Sequence, residues 1–586
     1  MSQHEVDQIS RLIAEGRTDE ARARALRLAQ SGAKDARVQQ AVSGLLAAMS
    51  QMPQAVYYAH RAAQLAPGEP ELVVFLARQL IISGEPAKAL AALEPLHAKR
   101  PTDPALSATK AECLGILQRF SEGERVARVA LEAHQTDAGL AALLAGALLN
   151  LGRIEEATPL VREASLRFAD DATLASGLAH VLNYDPSATR EGQLEAAKRY
   201  ARVIAPGLPP PLTSHANVPE PQRRLRVGVL SPDLRAHSVA FFIEPWMRHR
   251  DRAGTELFAY HTNRMVDGVT ERLRGLCDQW RDMSMANDVG VAQTIANDGI
   301  DVLIELSGHT QGHSLAALHL RPAPVQATYC GYPNTTGLAS VDARIVDSIT
   351  DPTGSEVFAT EALVRLDPCF LCYAPPPGAP DVTPLPAASR GFVTLGSFNS
   401  VPKLNARTIA LWSRVLARVP TARLALKAQN MVDALLREDL HRRLEREGVS
   451  RERVTLMLPP EGTREHLASY ASIDIGLEPL PYHGTTTTCE AMWMGVPVVT
   501  LAGDRHASRV GASLLSAVGL EELIATSEED YVERVAVLAE DVARLAAMRG
   551  GLRARLSASV LCDQRGFADR FDAVVRKLWR AWCARG

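Results

Sequence analysis

Small residues recur at a fixed interval of 34 positions through the first third of this chain. One register holds Ala21, Ala55, Ala89, Gly123 and Ala157. Seven places later a second register holds Leu28, Ala62, Leu96, Ala130 and Ala164, and glycines fall at multiples of the same interval at Gly16, Gly84 and Gly152. Small residues let paired antiparallel helices approach closely, and such pairs must stack to bury their apolar faces. The spacing therefore predicts a stacked array of helix pairs rather than an alanine-rich domain with chance spacing.

The interval is the period of tetratricopeptide repeats. The array is predicted to run from about residue 5 to residue 183, and residues 191–204 resemble a capping helix that falls out of step after an insertion near Ser187. We assign residues 1–204 to this α-helical superhelix. Arrays of this kind usually hold a polypeptide, so the repeats predict a protein partner.

Length and charge limit what the rest of the chain can do. A chain of 586 residues is too long for one core, so compact domains are expected after the array. With a net charge of −3, the chain lacks the excess of basic residues that is typical of proteins that bind nucleic acid or an anionic membrane. No stretch approaches the roughly 20 apolar residues that span a bilayer, and the polar N-terminus lacks the apolar core of a secretory signal. We therefore expect a cytoplasmic protein.

The eight cysteines are too sparse for a disulfide framework, so free thiols are expected. Cys369 and Cys372 form a single C-x-x-C pair, but no second pair lies at zinc-finger spacing. The apolar Phe370 and Leu371 between them favour a buried strand over a metal or redox site.

A proline-rich segment after the array marks a change of architecture. Residues 205–211 read Ala-Pro-Gly-Leu-Pro-Pro-Pro, and proline ends helices because it lacks the amide donor. Beyond it, short apolar runs alternate with amphipathic segments, which predicts parallel α/β sheets. We expect a linker at 205–222, two Rossmann-like lobes at 223–386 and 387–562, and a C-terminal helix at 563–586 that packs back across the lobes.

A threonine run follows a predicted strand at 473–477 in the second lobe. It extends from Gly484 to Glu490 and has the composition of a helix start with free amides and hydroxyls. Ligands of parallel sheets lie at the carboxyl ends of strands. Lys403 follows another predicted strand and would place an ammonium on the same ligand. The combination predicts a diphosphate site, and the alternatives are a threonine-rich helix cap without a ligand and a solvated lysine.

The sequence lacks the signatures of other classes of nucleotide-binding enzyme at these strand ends. Neither a Walker lysine motif nor a G-x-G-x-x-G fingerprint lies at these strand ends, which argues against a P-loop phosphotransferase or a nicotinamide dehydrogenase. The chain also has no Asp-x-Asp pair for a divalent metal. Without a metal, the negative charge of a leaving nucleotide would have to be stabilised by helix amides, hydroxyls and a lysine. The threonine run and Lys403 together provide all three.

Six segments resemble the motifs of the protein O-linked N-acetylglucosamine transferases, in that family's order and over nearly the whole chain. They are residues 231–242, 308–310, 321–326, 331–337, 398–403 and 484–495. The resemblance implies an inverting, metal-independent glycosyltransferase with a two-lobed GT-B fold and no cofactor. It also implies UDP-N-acetylglucosamine as donor, and Ser or Thr hydroxyls of proteins held by the repeats as acceptors.

The resemblance assigns catalytic roles by position. His237 matches a histidine between donor sugar and acceptor that is needed for geometry and is a candidate general base; its alternatives are helix capping and core packing. His309 is the competing candidate base or a structural histidine. Lys403 matches a lysine on the diphosphate, where it would meet the charge of the leaving group.

The remaining assignments concern nucleotide and sugar. Thr486 and Thr487 match paired threonines of the family, His466 matches a histidine beside the nucleobase, and Glu490 replaces an aspartate on the ribose. Gly331, Tyr332 and Pro333 are expected to form a lid near the sugar, because glycine and proline favour a tight turn, and the alternative is a plain inter-strand turn. The donor-binding set is completed by Gly484, Thr485 and Thr488.

Two departures bear on the donor: Ser400 replaces a glutamine of the family near the phosphates, and Pro402 replaces a tyrosine. The threonine run also resembles that of the SPINDLY-type family, which transfers fucose from GDP-fucose. We favour UDP-N-acetylglucosamine because His466 can stack on a pyrimidine. Interpretations of other classes are a repeat scaffold that binds nucleotide without turnover, and a transferase that acts on carbohydrates.

Overall fold

A computed structural model describes residues 3–585. Within it the chain forms two compact units, residues 3–151 with 432–436 and residues 152–431 with 437–585. All eight cysteines are free thiols, as expected. No helix in the described range is long and apolar enough to cross a membrane.

The first unit is built from antiparallel helices, which confirms the helical repeats inferred from the 34-residue period. Its helices are α1 (Gln3–Ala14), α2 (Thr18–Ser31), α3 (Ala36–Ala48), α4 (Met52–Leu65), α5 (Pro70–Ile82), α6 (Pro86–His97), α7 (Pro104–Ile116), α8 (Phe120–Ala133) and α9 (Ala138–Asn150). Ala21, Ala55 and Ala89 are fully buried between helices. Gly16 and Gly84 have φ angles of 74° and 79°, which glycine adopts without strain in the turns.

The second unit begins with three more helices, α10 (Ile154–Arg167), α11 (Ala172–Val181) and α12 (Arg190–Ile204). Thr189 caps α12 by accepting a hydrogen bond from Gly192 N at 3.1 Å. Tyr200 of α12 belongs to a buried cluster that includes Phe258 and Leu303 of the following sheet. The last helices therefore pack directly on the α/β part of this unit.

The first lobe contains a seven-stranded parallel sheet. Its strands are β1 (Leu225–Ser231), β2 (Thr255–His261), β3 (Gln279–Asp282), β4 (Val302–Glu305), β5 (Val325–Tyr329), β6 (Ala343–Val346) and β7 (Ala362–Arg365), in the order β3-β2-β1-β4-β5-β6-β7. The connecting helices are α13 (Ser238–His249), α14 (Gly268–Arg274), α15 (Asp288–Asn297) and α16 (Leu315–His319). Every strand from β1 to β6 except β3 is buried on both faces, which explains the apolar runs.

The second lobe contains a six-stranded parallel sheet. Its strands are β8 (Thr394–Ser397), β9 (Arg423–Lys427), β10 (Val454–Met457), β11 (Ile475–Leu477), β12 (Val498–Leu501) and β13 (Ile524–Ala525), in the order β10-β9-β8-β11-β12-β13. Its helices are α17 (Pro386–Arg390), α18 (Ala406–Arg418), α19 (Ala434–Arg446), α20 (Thr463–Ala468), α21 (Thr486–Trp493), α22 (Val510–Ala517), α23 (Glu528–Glu540), α24 (Val542–Ser557) and α25 (Gln564–Cys583). Two Rossmann-like lobes after helical repeats are therefore confirmed.

The strand order fixes where a ligand can bind. The chain reverses its winding direction between β1 and β4 in the first sheet and between β8 and β11 in the second. Loops after such strand pairs diverge to opposite faces and leave a crevice at their carboxyl ends. The segments that carry His237, His309, Lys403 and the threonine run follow these four strands.

One local prediction differs from the structure, and the packing of the C-terminal helix is specified by it. Cys369 and Cys372 are buried, but they lie in an irregular segment rather than a strand, and the Tyr373 amide there donates to the carbonyl of Leu561 instead of to a neighbouring strand. The C-terminal helix α25 packs against α13 of the first lobe, where Trp246 Nε1 donates to Asp572 Oδ1 at 2.7 Å.

Candidate functional site

Lys403 and the start of α21 are neighbours at the ends of β8 and β11. The Lys403 Nζ donates to the carbonyl oxygen of His483 at 2.6 Å. Gly484 comes next and leads through Thr485 into α21. A Cβ at Gly484 would lie 2.3 Å from Thr487 Oγ1, so the close turn requires glycine. The structure thus brings an ammonium group to the N-terminal end of a helix.

The four threonines make different contacts. Thr485 forms no side-chain capping bond, so the first-turn amides of α21 keep their bonding capacity. Thr487 Oγ1 donates to Asn399 Oδ1 at 3.1 Å, and the Thr488 hydroxyl donates to Glu478. The buried Thr486 Oγ1 has no partner within residues 3–585. Amides and an unpartnered hydroxyl at a helix start suit an anion.

Glu478 fixes this loop and is absent from the residues predicted above. It is 1% exposed, follows β11 directly, and accepts hydrogen bonds from Gly484 N at 2.6 Å and from the Thr488 hydroxyl. Burial raises the pKa of Glu478, while these hydrogen bonds and Lys403 oppose the rise. Its place directly after the predicted strand at 473–477 could be seen in the sequence, but its hydrogen-bond partners could not.

Replacing Glu478 by glutamine is expected to lower both the stability of the protein and the affinity of this loop for an anion. A glutamine offers one acceptor oxygen, so its NH₂ group would face Gly484 N–H or the Thr488 hydroxyl and leave a buried donor unpaired. Such a loss costs roughly 1–3 kcal/mol. Thermal unfolding and titration of E478Q with inorganic diphosphate check this, with the exposed Glu461→Gln as control. Equal unfolding temperatures for E478Q and the unmodified protein would show that Glu478 does not hold the loop.

His466 and Glu490 form a second group beside the first. His466 Nε2 donates to Glu490 Oε2 at 2.9 Å, and Lys427 Nζ donates to His466 Nδ1 at 3.2 Å. The Nδ1 atom accepts from an ammonium, so the neutral imidazole carries its proton on Nε2. The Tyr470 hydroxyl also lies 3.4 Å from Glu490 Oε2. Within the described chain Oε1 of Glu490 accepts no hydrogen bond and is available to a ligand hydroxyl.

Lys427 is a further residue that the sequence interpretation missed. It is the last residue of β9, is 3% exposed, and places Nζ 4.1 Å from the ring centroid of Phe398. Burial lowers its pKa to about 8, and the charge of Glu490 opposes this change. The apolar residues 424–426 directly precede this lysine in the sequence, so its position at the carboxyl edge of the sheet could have been predicted.

His237 lies at the N-terminal end of α13 and caps it. Its Nδ1 accepts a long hydrogen bond from Val239 N at 3.4 Å and lies 3.7 Å from Asp233 Oδ2. Burial lowers the pKa of His237, Asp233 opposes this shift and Arg235 adds to it. With Nδ1 accepting from the backbone, the neutral ring carries its proton on Nε2. The 40% exposed side chain leaves Nε2 as the nitrogen that a substrate can meet.

His309 is buried with both ring nitrogens engaged. Nε2 donates to the carbonyl oxygen of Thr336 at 2.9 Å, and Nδ1 lies 3.0 Å from the hydroxyl of Ser176 in α11. Burial lowers the pKa of His309 to about 3. This geometry favours the structural alternative for His309, because neither nitrogen is free to take a proton from an acceptor.

The turn at 331–333 is tightly packed. A Cβ at Gly331 would lie 1.6 Å from the carbonyl oxygen of Leu306, so glycine is required there. Tyr332 is 5% exposed, donates from its hydroxyl to the carbonyl of Ala179 at 2.9 Å, and accepts from Asn183 Nδ2 at 3.0 Å. The turn is therefore held against the last repeat helices.

The predicted residues other than Pro333 and His237, which lies at the start of α13, form three groups. In the first group, Lys403 and residues 484–488 lie around Glu478. In the second, His466 and Glu490 lie around Lys427. In the third, His309 lies against Tyr332, with ring centroids 5.4 Å apart. Pro333 faces a separate cleft. Among residues 3–585, no cluster of three or more His, Cys, Asp or Glu side chains is placed to hold a metal ion.

Known proteins resemble this chain in sequence. The model of glycosyl transferase family 41 matches residues 207–372 and 387–571, more than half of the chain. A Solanum lycopersicum protein described as probable UDP-N-acetylglucosamine–peptide N-acetylglucosaminyltransferase SPINDLY is 40% identical over 406 residues, covering 69% of this chain and 44% of that protein. An Arabidopsis thaliana protein described as the same probable enzyme, SEC, is 27% identical over 413 residues, covering 67% and 42%. The chain spans less than half the length of these relatives.

A solved structure resembles the chain over most of its length. A mutant of the O-GlcNAc transferase from Thermobaculum terrenum is 33% identical with a TM-score of 0.83, covering 88% of this chain and 98% of that one. This match confirms helical repeats followed by a GT-B fold. The chain belongs to glycosyl transferase family 41.

Proposed function

We propose that this protein transfers N-acetylglucosamine from UDP-N-acetylglucosamine to Ser or Thr hydroxyls of proteins. The observation that carries the proposal is the convergence of Lys403, the first-turn amides of α21 and the unpartnered Thr486 hydroxyl at the switch point of the second sheet. These groups suit the diphosphate of a nucleotide sugar. The family membership and the names of the relatives point to the same donor and to peptide acceptors.

The proposed reaction is a direct displacement. The acceptor hydroxyl attacks the anomeric carbon on the face opposite UDP, the bond to the diphosphate breaks, and the configuration inverts. Negative charge that develops on the leaving diphosphate would meet the Lys403 ammonium and the α21 amides. We propose that these groups serve in place of a metal ion. His237, whose Nε2 is exposed, would hold the acceptor beside the sugar, and the proton of the hydroxyl would leave through this ring or through solvent.

The nucleoside would lie against the group formed by His466, Lys427 and Glu490. Oε1 of Glu490 is available to a ribose hydroxyl, and the His466 ring offers a face for a base. The repeats are proposed to hold the acceptor protein. We further propose a cytoplasmic location, since eight free thiols suit a reducing compartment.

Calorimetric titration with UDP and with GDP, each with magnesium and with a chelator, tests the donor. Preference for UDP without dependence on magnesium is the expected result. Preference for GDP would move the proposal to transfer of fucose from GDP-fucose, and binding of neither nucleotide would favour a scaffold without turnover.

The affinity for UDP is expected to fall as pH rises through about 8. Burial lowers the pKa of Lys403 to about 8, with Glu478 opposing the shift. The diphosphate prefers the protonated lysine, so below this pKa affinity is level, and above it affinity falls by up to about tenfold per pH unit. Titrations from pH 7 to pH 9.5 check this. The slope should vanish in Lys403→Ala and remain in Lys427→Ala; a slope that survives in Lys403→Ala contradicts the assignment to Lys403.

A further inference from the structure

A narrow cleft beside Pro333 is lined by arginines from three parts of the second unit. Arg190 begins α12, Arg344 lies in β6 of the first lobe, and Arg505 follows β12 of the second lobe. Apart from Pro333, none of its lining residues belongs to the proposed donor site.

Two of these guanidinium groups are buried and incompletely bonded. Arg344 is 5% exposed; its Nη1 lies 3.5 Å from Asp351 Oδ1, and its Nη2 has no partner within residues 3–585. Arg505 is 8% exposed; its Nη2 donates to the carbonyl of Ala188 at 2.6 Å and its Nε to Asp504 at 2.9 Å, while Nη1 has no partner in the same range. Buried donors in proteins are nearly always satisfied, so these two nitrogens call for an acceptor.

The nearby carboxylates do not provide that acceptor. One oxygen of Asp351 faces Arg344, and the other accepts from His506 Nδ1 at 2.5 Å. Asp504 is 63% exposed and already bonded to Arg505. The lining of the cleft therefore includes three guanidinium groups and one carboxylate, that of Asp351.

Arg190 completes the cleft from the helical side. Its guanidinium carbon lies 3.9 Å from the ring centroid of Phe358. Burial lowers the pKa of Arg190, the carboxylates of Asp351 and Asp504 oppose this shift, and the positive charges of Arg344 and Arg505 add to it. The three guanidinium groups are thus close enough to influence one another, and one small anion can face all three.

We propose that this arginine cleft binds a small oxyanion of the phosphate type. A tetrahedral oxyanion offers several acceptor oxygens, so it can meet Arg344 Nη2 and Arg505 Nη1 together while its charge faces Arg190. The bound anion would connect α12 with both lobes. It is a second anion site, separate from the one at Lys403, and its occupancy would stabilise the second unit.

Titration of the full-length protein with inorganic phosphate in the presence of saturating UDP tests the proposal. Saturation with UDP occupies the donor site, and equal ionic strength is kept with sodium chloride. We expect one phosphate per chain, an unfolding temperature that rises with phosphate, and at least tenfold weaker binding in Arg190→Gln and in Arg505→Gln. The matched control is Arg553→Gln, since Arg553 also stacks on an aromatic ring, with its guanidinium carbon 5.1 Å from the Trp493 ring centroid, but lies outside the cleft.

Lys403→Ala separates the two anion sites even if UDP does not bind as proposed. Phosphate binding that persists in Lys403→Ala and is lost in Arg190→Gln supports the cleft. The proposal is overturned if phosphate does not bind under these conditions, if Lys403→Ala or UDP abolishes the binding, if the cleft variants bind phosphate normally, or if chloride competes at equal concentration. Arg190→Gln removes only the stacked charge, so a folding defect in Arg505→Gln leaves the test valid.

Discussion

Lys403→Ala is expected to reduce kcat/KM for glycosyl transfer by roughly 10³-fold, because a charged donor aimed at a leaving group is worth about 2.7–4 kcal/mol in the transition state. The Nζ of Lys403 lies 2.6 Å from the carbonyl of His483, next to the helix start proposed to hold the diphosphate. The same ammonium meets charge that is present in the free nucleotide, so UDP affinity should also fall by roughly tenfold or more. Initial rates and UDP titration measure the two effects.

Lys577→Ala provides the control, since this lysine is exposed on α25. It should leave both rate and affinity unchanged. Loss of turnover in Lys403→Ala with normal UDP affinity would mean that the lysine acts only in the transition state and does not bind the ground-state diphosphate. Turnover equal to that of the unmodified protein would remove Lys403 from the mechanism.

His237→Ala is expected to lower kcat by roughly 10²–10⁴-fold, the range for a group that positions or accepts a proton. Nucleotide affinity should change little, because His237 lies in the first lobe and the proposed UDP contacts lie in the second. The comparison of single-turnover rates with UDP affinity separates the two steps.

The variant His237→Asn distinguishes a role of the imidazole ring in the reaction from a role in capping α13. His237 accepts from Val239 N at the start of α13, and asparagine also accepts hydrogen bonds at helix N-termini. If His237→Asn is as slow as His237→Ala, the imidazole itself is needed. If His237→Asn restores most of the rate, the residue acts by capping α13, and the proposed role beside the acceptor fails.

The parts of the fold that repeat or alternate could be predicted from the sequence. Ala21, Ala55 and Ala89 mark the helix pairs because close helix packing admits only small residues at those places. Apolar runs identify the strands because both faces of a parallel sheet are covered. The strand predicted at 473–477 begins in the structure at Ile475, two residues later than predicted. Ile473 is hydrophobic because it packs in the core, but it lies before the first hydrogen-bonded pair of the strand.

Contacts between distant segments were beyond the sequence pattern. Glu478 looked like an ordinary residue after a strand, and only the fold brings Gly484 N and the Thr488 hydroxyl to it. The sequence left His309 as either a candidate base or a structural histidine. The structure shows its nitrogens bonded to the Ser176 hydroxyl and the Thr336 carbonyl, which favours the structural role. A short polar segment carries no periodic signal for its partners, so such hydrogen bonds follow from topology rather than from spacing.

Mass spectrometry of an acceptor protein incubated with this protein and UDP-N-acetylglucosamine tests the proposed transfer. We expect addition of one N-acetylhexosamine to Ser or Thr side chains, its persistence when divalent metals are chelated, and its loss in His237→Ala and Lys403→Ala. Transfer only from GDP-fucose, transfer only to glycans, or hydrolysis and transfer both absent with intact UDP binding would contradict it.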